Sequence, residues 1–138
     1  MKTWLLPVDH PLLLLVAEPR RLRWSVRDAL WVRLVDVGAA LAARAYAATD
    51  PVVLEVVDEF CPWNHGRWRV SAAAVERTSA AADLSADVTA LGSVYLGGFS
   101  WMQLARSLRV TELQPGGLAR ADALFTRHDP APWCPEIF

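Results

Sequence analysis

The sequence predicts an α+β domain in which about five short, mainly antiparallel strands carry helices on one face. Three observations predict it. Strand-like stretches separated by turns run from Leu30 to Val88, and helix-like stretches with capping residues take over from Thr89. Of the 138 residues, 54% are hydrophobic and 21% charged, enough apolar material to fill one core without disulfides or a structural metal.

Leu12 to Val16 reads as a short apolar strand between prolines, followed by a basic stretch from Arg20 to Trp24. Leu30 to Val35 is rich in β-branched and aromatic residues, and Asp36 is placed to cap a helix over Ala39 to Ala48. Val52 to Phe60 and Arg67 to Ala72 flank the turn Pro62-Trp63-Asn64-His65-Gly66 and predict a hairpin. With Phe60 facing Gly66, Glu59 lies opposite Arg67 and Val57 opposite Arg69, while Val56 faces Val70 and Leu54 faces Ala72 on the core side.

Val75 to Ser79 and Asp83 to Val88 are two further strands, the second with Leu84, Ala86 and Val88 inward. Thr89 to Leu96 is a helix stopped by Gly97-Gly98, and Ser100 with Gln103 forms a capping box opening a helix to Leu108. A last helix runs from about Leu118 to Arg127. Pro130, Pro132 and Pro135 forbid a helix in the final ten residues, yet Trp133, Ile137 and Phe138 are apolar, which predicts a docked tail.

Composition excludes several functions. A net charge of −1 is far from the basic balance that phosphate backbones select, so nucleic acid is not expected as a partner. The longest apolar run, Pro11 to Ala17, falls short of the ~20 residues a membrane span requires. Pro7, Asp9 and His10 interrupt the opening hydrophobic stretch before any cleavage site, so a cytoplasmic location is expected. Cys61 and Cys134 form no CxxC, and a single bridge between them stays open.

Two apparent motifs carry little. Gln114-Pro115-Gly116-Gly117-Leu118-Ala119 fits the letters of the acetyltransferase loop that cradles a pyrophosphate, but Pro115 removes a backbone donor and too little chain follows. Cys61, His65, His128 and Cys134 could in number hold zinc, but Cys-x3-His and His-x5-Cys match no usual ligand spacing, so no metal is expected. No GxSxG, HExxH, GxxxxGK[ST] or GxGxxG occurs. The seven tryptophans are read chiefly as core, and Tyr95, Leu96, Trp101 and Leu104 as an inner helical face. At the chain end, Glu136 and the terminal carboxylate of Phe138 place two anionic groups on a proline-stiffened arm.

Four stretches together resemble the Eis-like (enhanced intracellular survival) branch of the GNAT N-acetyltransferases. They are Asp28 to Val37, Pro62-Trp63-Asn64 with Gly66-Arg67-Trp68, Leu91-Gly92 with Tyr95 to Gly98, and Trp133 to Phe138. Gly38 stands where members of that family commonly carry proline.

The resemblance implies a sterol-carrier-protein-like C-terminal domain over residues 30–138, preceded by residues 1–29 as the closing segment of an upstream acetyltransferase-type domain. It implies a parent that transfers acetyl from acetyl-CoA to a small amine of aminoglycoside or lysine type. The acetyl-CoA site is then upstream and not in this chain, and the parent is a homo-oligomer. The α-carboxylate of Phe138 would take the proton from the attacking amine, and Glu136 would hold the cationic substrate. The rival reading is a free-standing sterol-carrier-like module with a tryptophan-lined cavity for an apolar ligand. A third is a purely structural domain that holds subunits together.

Overall fold

Val52, Leu54 and Val56 bury one side of the strand β1 (Val52–Val57), which becomes the centre of the sheet because both of its edges find partners. The computed structural model describes residues 6–28, 30–125 and 131–134. Among these, β1 is joined by β2 (Gly66–Val70), β3 (Val75–Arg77), β4 (Leu84–Asp87) and β5 (Val110–Glu112) in the order β3-β2-β1-β4-β5. Three of the four pairings are antiparallel, and β1 and β4 are parallel.

Asp83 explains the parallel pair. Its backbone N–H donates to Val53 O and its Oδ2 accepts from Val53 N, both at 2.8 Å, so the chain returning from β3 is seated along the free edge of β1. Asp83 O also accepts from Leu113 N at 2.8 Å and Gln114 N at 3.1 Å, and its carboxylate pairs with Arg120. One residue thus joins the central strand, the end of β5 and the helix α5 (Gly117–Leu124). Gly117 is required there, since a Cβ would lie 2.9 Å from Asp83 O.

The helices α2 (Val37–Ala42), α3 (Val88–Tyr95), α4 (Trp101–Arg106) and α5 send Leu41, Leu91, Val94, Trp101, Leu104 and Leu124 into a core shared with Leu54, Leu84, Val56 and Val70. Each fully buried leucine or valine contributes about 1.5–3 kcal/mol of transfer free energy. The opposite sheet face carries Glu55 against Arg67 at 3.1 Å and Arg69 against Glu76 at 3.9 Å. The expected division into a core face and a charged face holds.

Local signals are realised as read. The Asp36 side chain accepts from Ala39 N at 2.9 Å, and Ser100 and Gln103 complete the capping box of α4. Asp87 ends β4 and caps α3 with no loop between, accepting from Ala90 N, and Gly97 takes a φ of 81° after that helix. The helices are shorter than expected: α2 stops at Ala42, α4 at Arg106 and α5 at Leu124.

Four expectations are corrected. Leu12 to Val16 is not a strand; Leu12–Leu15 forms the short helix α1, started by Pro11, whose carbonyl accepts from Leu14 and Leu15. Leu30 to Val35 joins no sheet ladder; it packs over α3, where a Cβ on Gly92 would lie 2.6 Å from Val32 O. The strand that completes the sheet is instead Val110–Glu112, three residues with no strand pattern in the sequence. The hairpin register slides by four: Glu55 faces Arg67, Leu54 faces Trp68 and Val52 faces Val70. An even slide keeps every side chain on its face. Its cause is the β1–β2 connection, which begins at the buried Asp58 rather than after Phe60.

Candidate functional site

The chain end carries the sequence-derived site, and Glu136 and Phe138 both lie outside the described residues. The structure describes the tail at 131–134. Ala131 is buried, with 1% of its surface exposed, and its backbone N–H donates to the Asp9 carboxylate at 2.7 Å. A buried amide needs such a partner. Asp9 sits in a turn closed by His10 N donating to Pro7 O at 3.1 Å, and Leu12 N donates to His10 Nδ1 at 3.1 Å. Pro132 lies beside Gly98, where a Cβ would stand 3.8 Å from its ring, and Trp133 is exposed. Of the expected docking, the described residues show it at Ala131 alone: Pro132 and Trp133 are exposed, and Ile137 and Phe138 lie outside the described residues.

A second cluster lies at the β1–β2 connection. The Asp58 carboxylate accepts from Arg33 Nη2 at 2.8 Å, Asn64 Nδ2 at 2.9 Å, Cys61 N at 3.0 Å and Phe60 N at 3.2 Å. Burial opposes its charge, but the bonds from Asn64, Cys61 and Arg33 outweigh that and bring its pKa down to about 2. The Cys61 side chain and Asp58 together raise the pKa of Arg33. Beside this knot lie Phe60, 82% exposed, and Trp63, whose Nε1 donates to Val35 O at 2.8 Å. Arg33 stacks over the Phe60 ring. The turn from Pro62 to Gly66 is therefore closed by a structural lock, with the exposed Phe60 and Trp63 beside it.

Of the six described tryptophans, only Trp68 and Trp101 are buried; Trp24, Trp31, Trp63 and Trp133 are exposed, contrary to the expectation that most serve the core. Trp68 is held by Arg77 stacked 3.9 Å from its ring and by Nε1 donating to Asn64 O at 2.9 Å. Trp101 meets Phe125 edge-on at 5.2 Å. Of the proposed inner face, Trp101 and Leu104 are buried, Tyr95 is half-buried and Leu96 is exposed.

The loop from Gln114 to Ala119 does open a helix, with Gly116 at a φ of 79°. Its amides are engaged internally: Gly117 N donates to Gln114 O at 3.0 Å and Leu118 N to the Glu112 carboxylate at 3.1 Å. An anionic side chain thus occupies the position a phosphate would take. Cys61 and Cys134 are not joined by a disulfide. Among the described residues no three acidic, histidine or cysteine side chains gather as a metal site, and His128 lies outside them. No helix among the described residues is long and apolar enough to cross a membrane.

This sheet with its helical layer, and the sequence over residues 37–135, match the sterol carrier protein domain, and the chain belongs to that family. Its relatives include proteins named as N-acetyltransferases. An uncharacterised N-acetyltransferase of Streptomyces coelicolor is 52% identical over 136 residues, covering 96% of this chain and 33% of that protein. N-acetyltransferase Eis of Mycobacterium tuberculosis is 36% identical over 130 residues, covering 88% and 31%.

Among solved structures, Eis1 from Mycobacterium abscessus matches with a TM-score of 0.79 at 49% identity, covering 88% of this chain and 32% of that one. A GCN5-related N-acetyltransferase from Anabaena variabilis matches at 0.64 and 27% identity, over 72% and 26%. The chain spans about a third of the length of the curated relatives it matches.

Proposed function

We propose that this chain is the C-terminal portion of an Eis-like, acetyl-CoA-dependent N-acetyltransferase, and that it supplies the α-carboxylate of Phe138 as the general base. The observation that carries the reading is the 52% identity over 96% of the chain to an N-acetyltransferase about three times as long. An ammonium group must lose its proton before its nitrogen can attack a thioester, and a carboxylate held in a partly dry cleft is a competent acceptor. Glu136 holds the cationic amine, of aminoglycoside or lysine type, near that base. The upstream modules of the parent hold acetyl-CoA, which accords with the Glu112 carboxylate occupying the loop from Gln114 to Ala119. The parent is a cytoplasmic homo-oligomer, and this chain alone is catalytically silent.

Removing Phe138 from the parent, or appending one residue after it, abolishes turnover; unchanged kinetics overturn the base assignment. Calorimetry of the isolated chain detects no acetyl-CoA binding, and micromolar binding overturns the division of labour. The rival apolar-ligand module draws less support, because its two buried tryptophans are packed against Arg77 and Phe125 and the other described ones face outward. Titration with a fluorescent fatty acid separates the two readings.

A further inference from the structure

The bond between Asp9 and Ala131 spans 122 positions and joins the two ends of the described chain. Ala131 is buried, and its amide needs an acceptor that the tail itself, interrupted by Pro130 and Pro132, is poorly built to give through helix or ladder bonding. The acceptor comes from a preformed turn: Pro7 O is bonded by His10 N, and Pro11 O by Leu14 N, so Asp9 is presented from backbone that is already fixed. On the other side, Pro132 rests beside Gly98, just after α3. The tail is therefore gripped between the N-terminal turn and the body of the domain at the point where it sets out toward the chain end.

We infer that Asp9 is a positioning residue for the C-terminal arm, registering it against the N-terminal segment through the Ala131 amide. The inference rests on the general-base reading of Phe138. Seven residues, Pro132 through Phe138, follow the anchored amide, a reach of at most about 25 Å. Fixing Ala131 confines the terminal carboxylate to that radius, and Pro132 presets the first step of its direction. If residues 1–29 close an upstream catalytic module, the same bond ties the arm to the module in which it acts. Asp9 touches no substrate in this account; it acts only through the arm.

The test uses Asp9→Ala, Asp9→Asn and deletion of Phe138, each in the full-length parent. Asparagine keeps a side-chain oxygen that can accept from the Ala131 amide, and alanine does not. Asp9→Ala is expected to accelerate hydrogen exchange at Ala131 about tenfold or more and to lower kcat by about tenfold. The KM for acetyl-CoA and the near-UV circular dichroism stay as in the parent. Asp9→Asn restores both exchange and kcat, a rescue that generalised loss of fold would not give.

Unchanged exchange in Asp9→Ala overturns the anchor. Faster exchange with unchanged kcat, in a protein that deletion of Phe138 inactivates, overturns the positioning role and leaves the base reading standing. Full turnover after deletion of Phe138 defeats both, and is recognised because it needs no change at Asp9.

Discussion

The Asn64 side-chain amide donates to the buried Asp58 carboxylate at 2.9 Å, and this pair closes the β1–β2 connection from inside. Asn64 also accepts from Val37 N at 2.9 Å and donates to Val35 O at 3.1 Å. It thereby ties the first turn of α2 and the end of the extended 30–35 segment to the hairpin. Asn64→Ala leaves the buried Val37 amide without its acceptor and takes one donor from the buried Asp58 carboxylate, while Val35 O keeps Trp63 Nε1. The expected cost is about 3 kcal/mol, read as a lower urea midpoint with an unchanged slope. A loss below about 1 kcal/mol would mean that water replaces the carboxamide without penalty.

The same carboxylate gives the protein an acid limb. Its folded pKa of about 2 lies below the ordinary 3.8, so its contribution to stability is present above pH 4 and is lost as the pH falls through 2. Asp58→Asn, which cannot titrate, is expected to be less stable at neutral pH. It should also show a shallower fall of stability between pH 4 and pH 2 than the parent chain. Equal slopes in the two proteins would place the acid sensitivity elsewhere.

What could be read along the chain was what neighbours decide. The Asp36 cap, the Ser100–Gln103 box and the stop at Gly97 each depend on residues within one helical turn, and each is found where expected. Val110–Glu112 is three residues long with no pattern of its own; it becomes a strand because Asp83, distant in sequence, accepts the amides that follow it. Leu30 to Val35 has strand composition, but the close approach over Gly92 commits it to α3 instead of a ladder. Phe138 and Glu136 stand out in the sequence as two anionic groups on a proline-stiffened arm, their roles come from the resemblance, and both lie outside the described residues. Asp9 gave no signal, since an acidic residue in a turn looks solvated until Ala131 is brought to it.

Gly38 faces the Trp68 ring so closely that a Cβ would lie 2.7 Å from two of its carbons. That ring cannot swing aside, being held by Arg77 on its face and by Asn64 O at its Nε1. Gly38→Pro suits the first turn of a helix by its fixed φ, and proline is common here in the family the sequence resembles. In this chain it should nevertheless destabilise by about 1–3 kcal/mol through overpacking. Thermal denaturation of Gly38→Pro, Trp68→Phe and the double variant checks this. The double variant should be more stable than the two single losses combined would allow.

Gly92 is a glycine in the middle of α3, where alanine would ordinarily gain about 1 kcal/mol in helix propensity. The added methyl would lie 2.6 Å from the Val32 carbonyl, which is backbone and cannot rotate away. Gly92→Ala is therefore expected to lose about 1–3 kcal/mol despite its better propensity. Amide exchange in residues 30–35 should quicken as that segment lifts. A more stable variant would show that the segment is held only loosely on α3.

Leu108 presents the opposite case, a side chain where glycine belongs. It follows α4 with a φ of 60° and is 93% exposed, so its methyl groups contribute no packing to offset the left-handed backbone. The conformation is imposed by the helix end: Leu108 N donates to Ala105 O and Arg109 N to Leu104 O, both at 3.0 Å, and these bonds require the turn. A non-glycine residue in that region costs about 1–2 kcal/mol, and glycine gives part of this back in the greater freedom of the unfolded chain. Leu108→Gly is accordingly expected to stabilise by about 0.5–1 kcal/mol, and Leu108→Asn by less, both read as higher urea midpoints with an unchanged slope. Destabilisation by glycine would mean that the leucine side chain makes a favourable contact on the surface of the protein in solution.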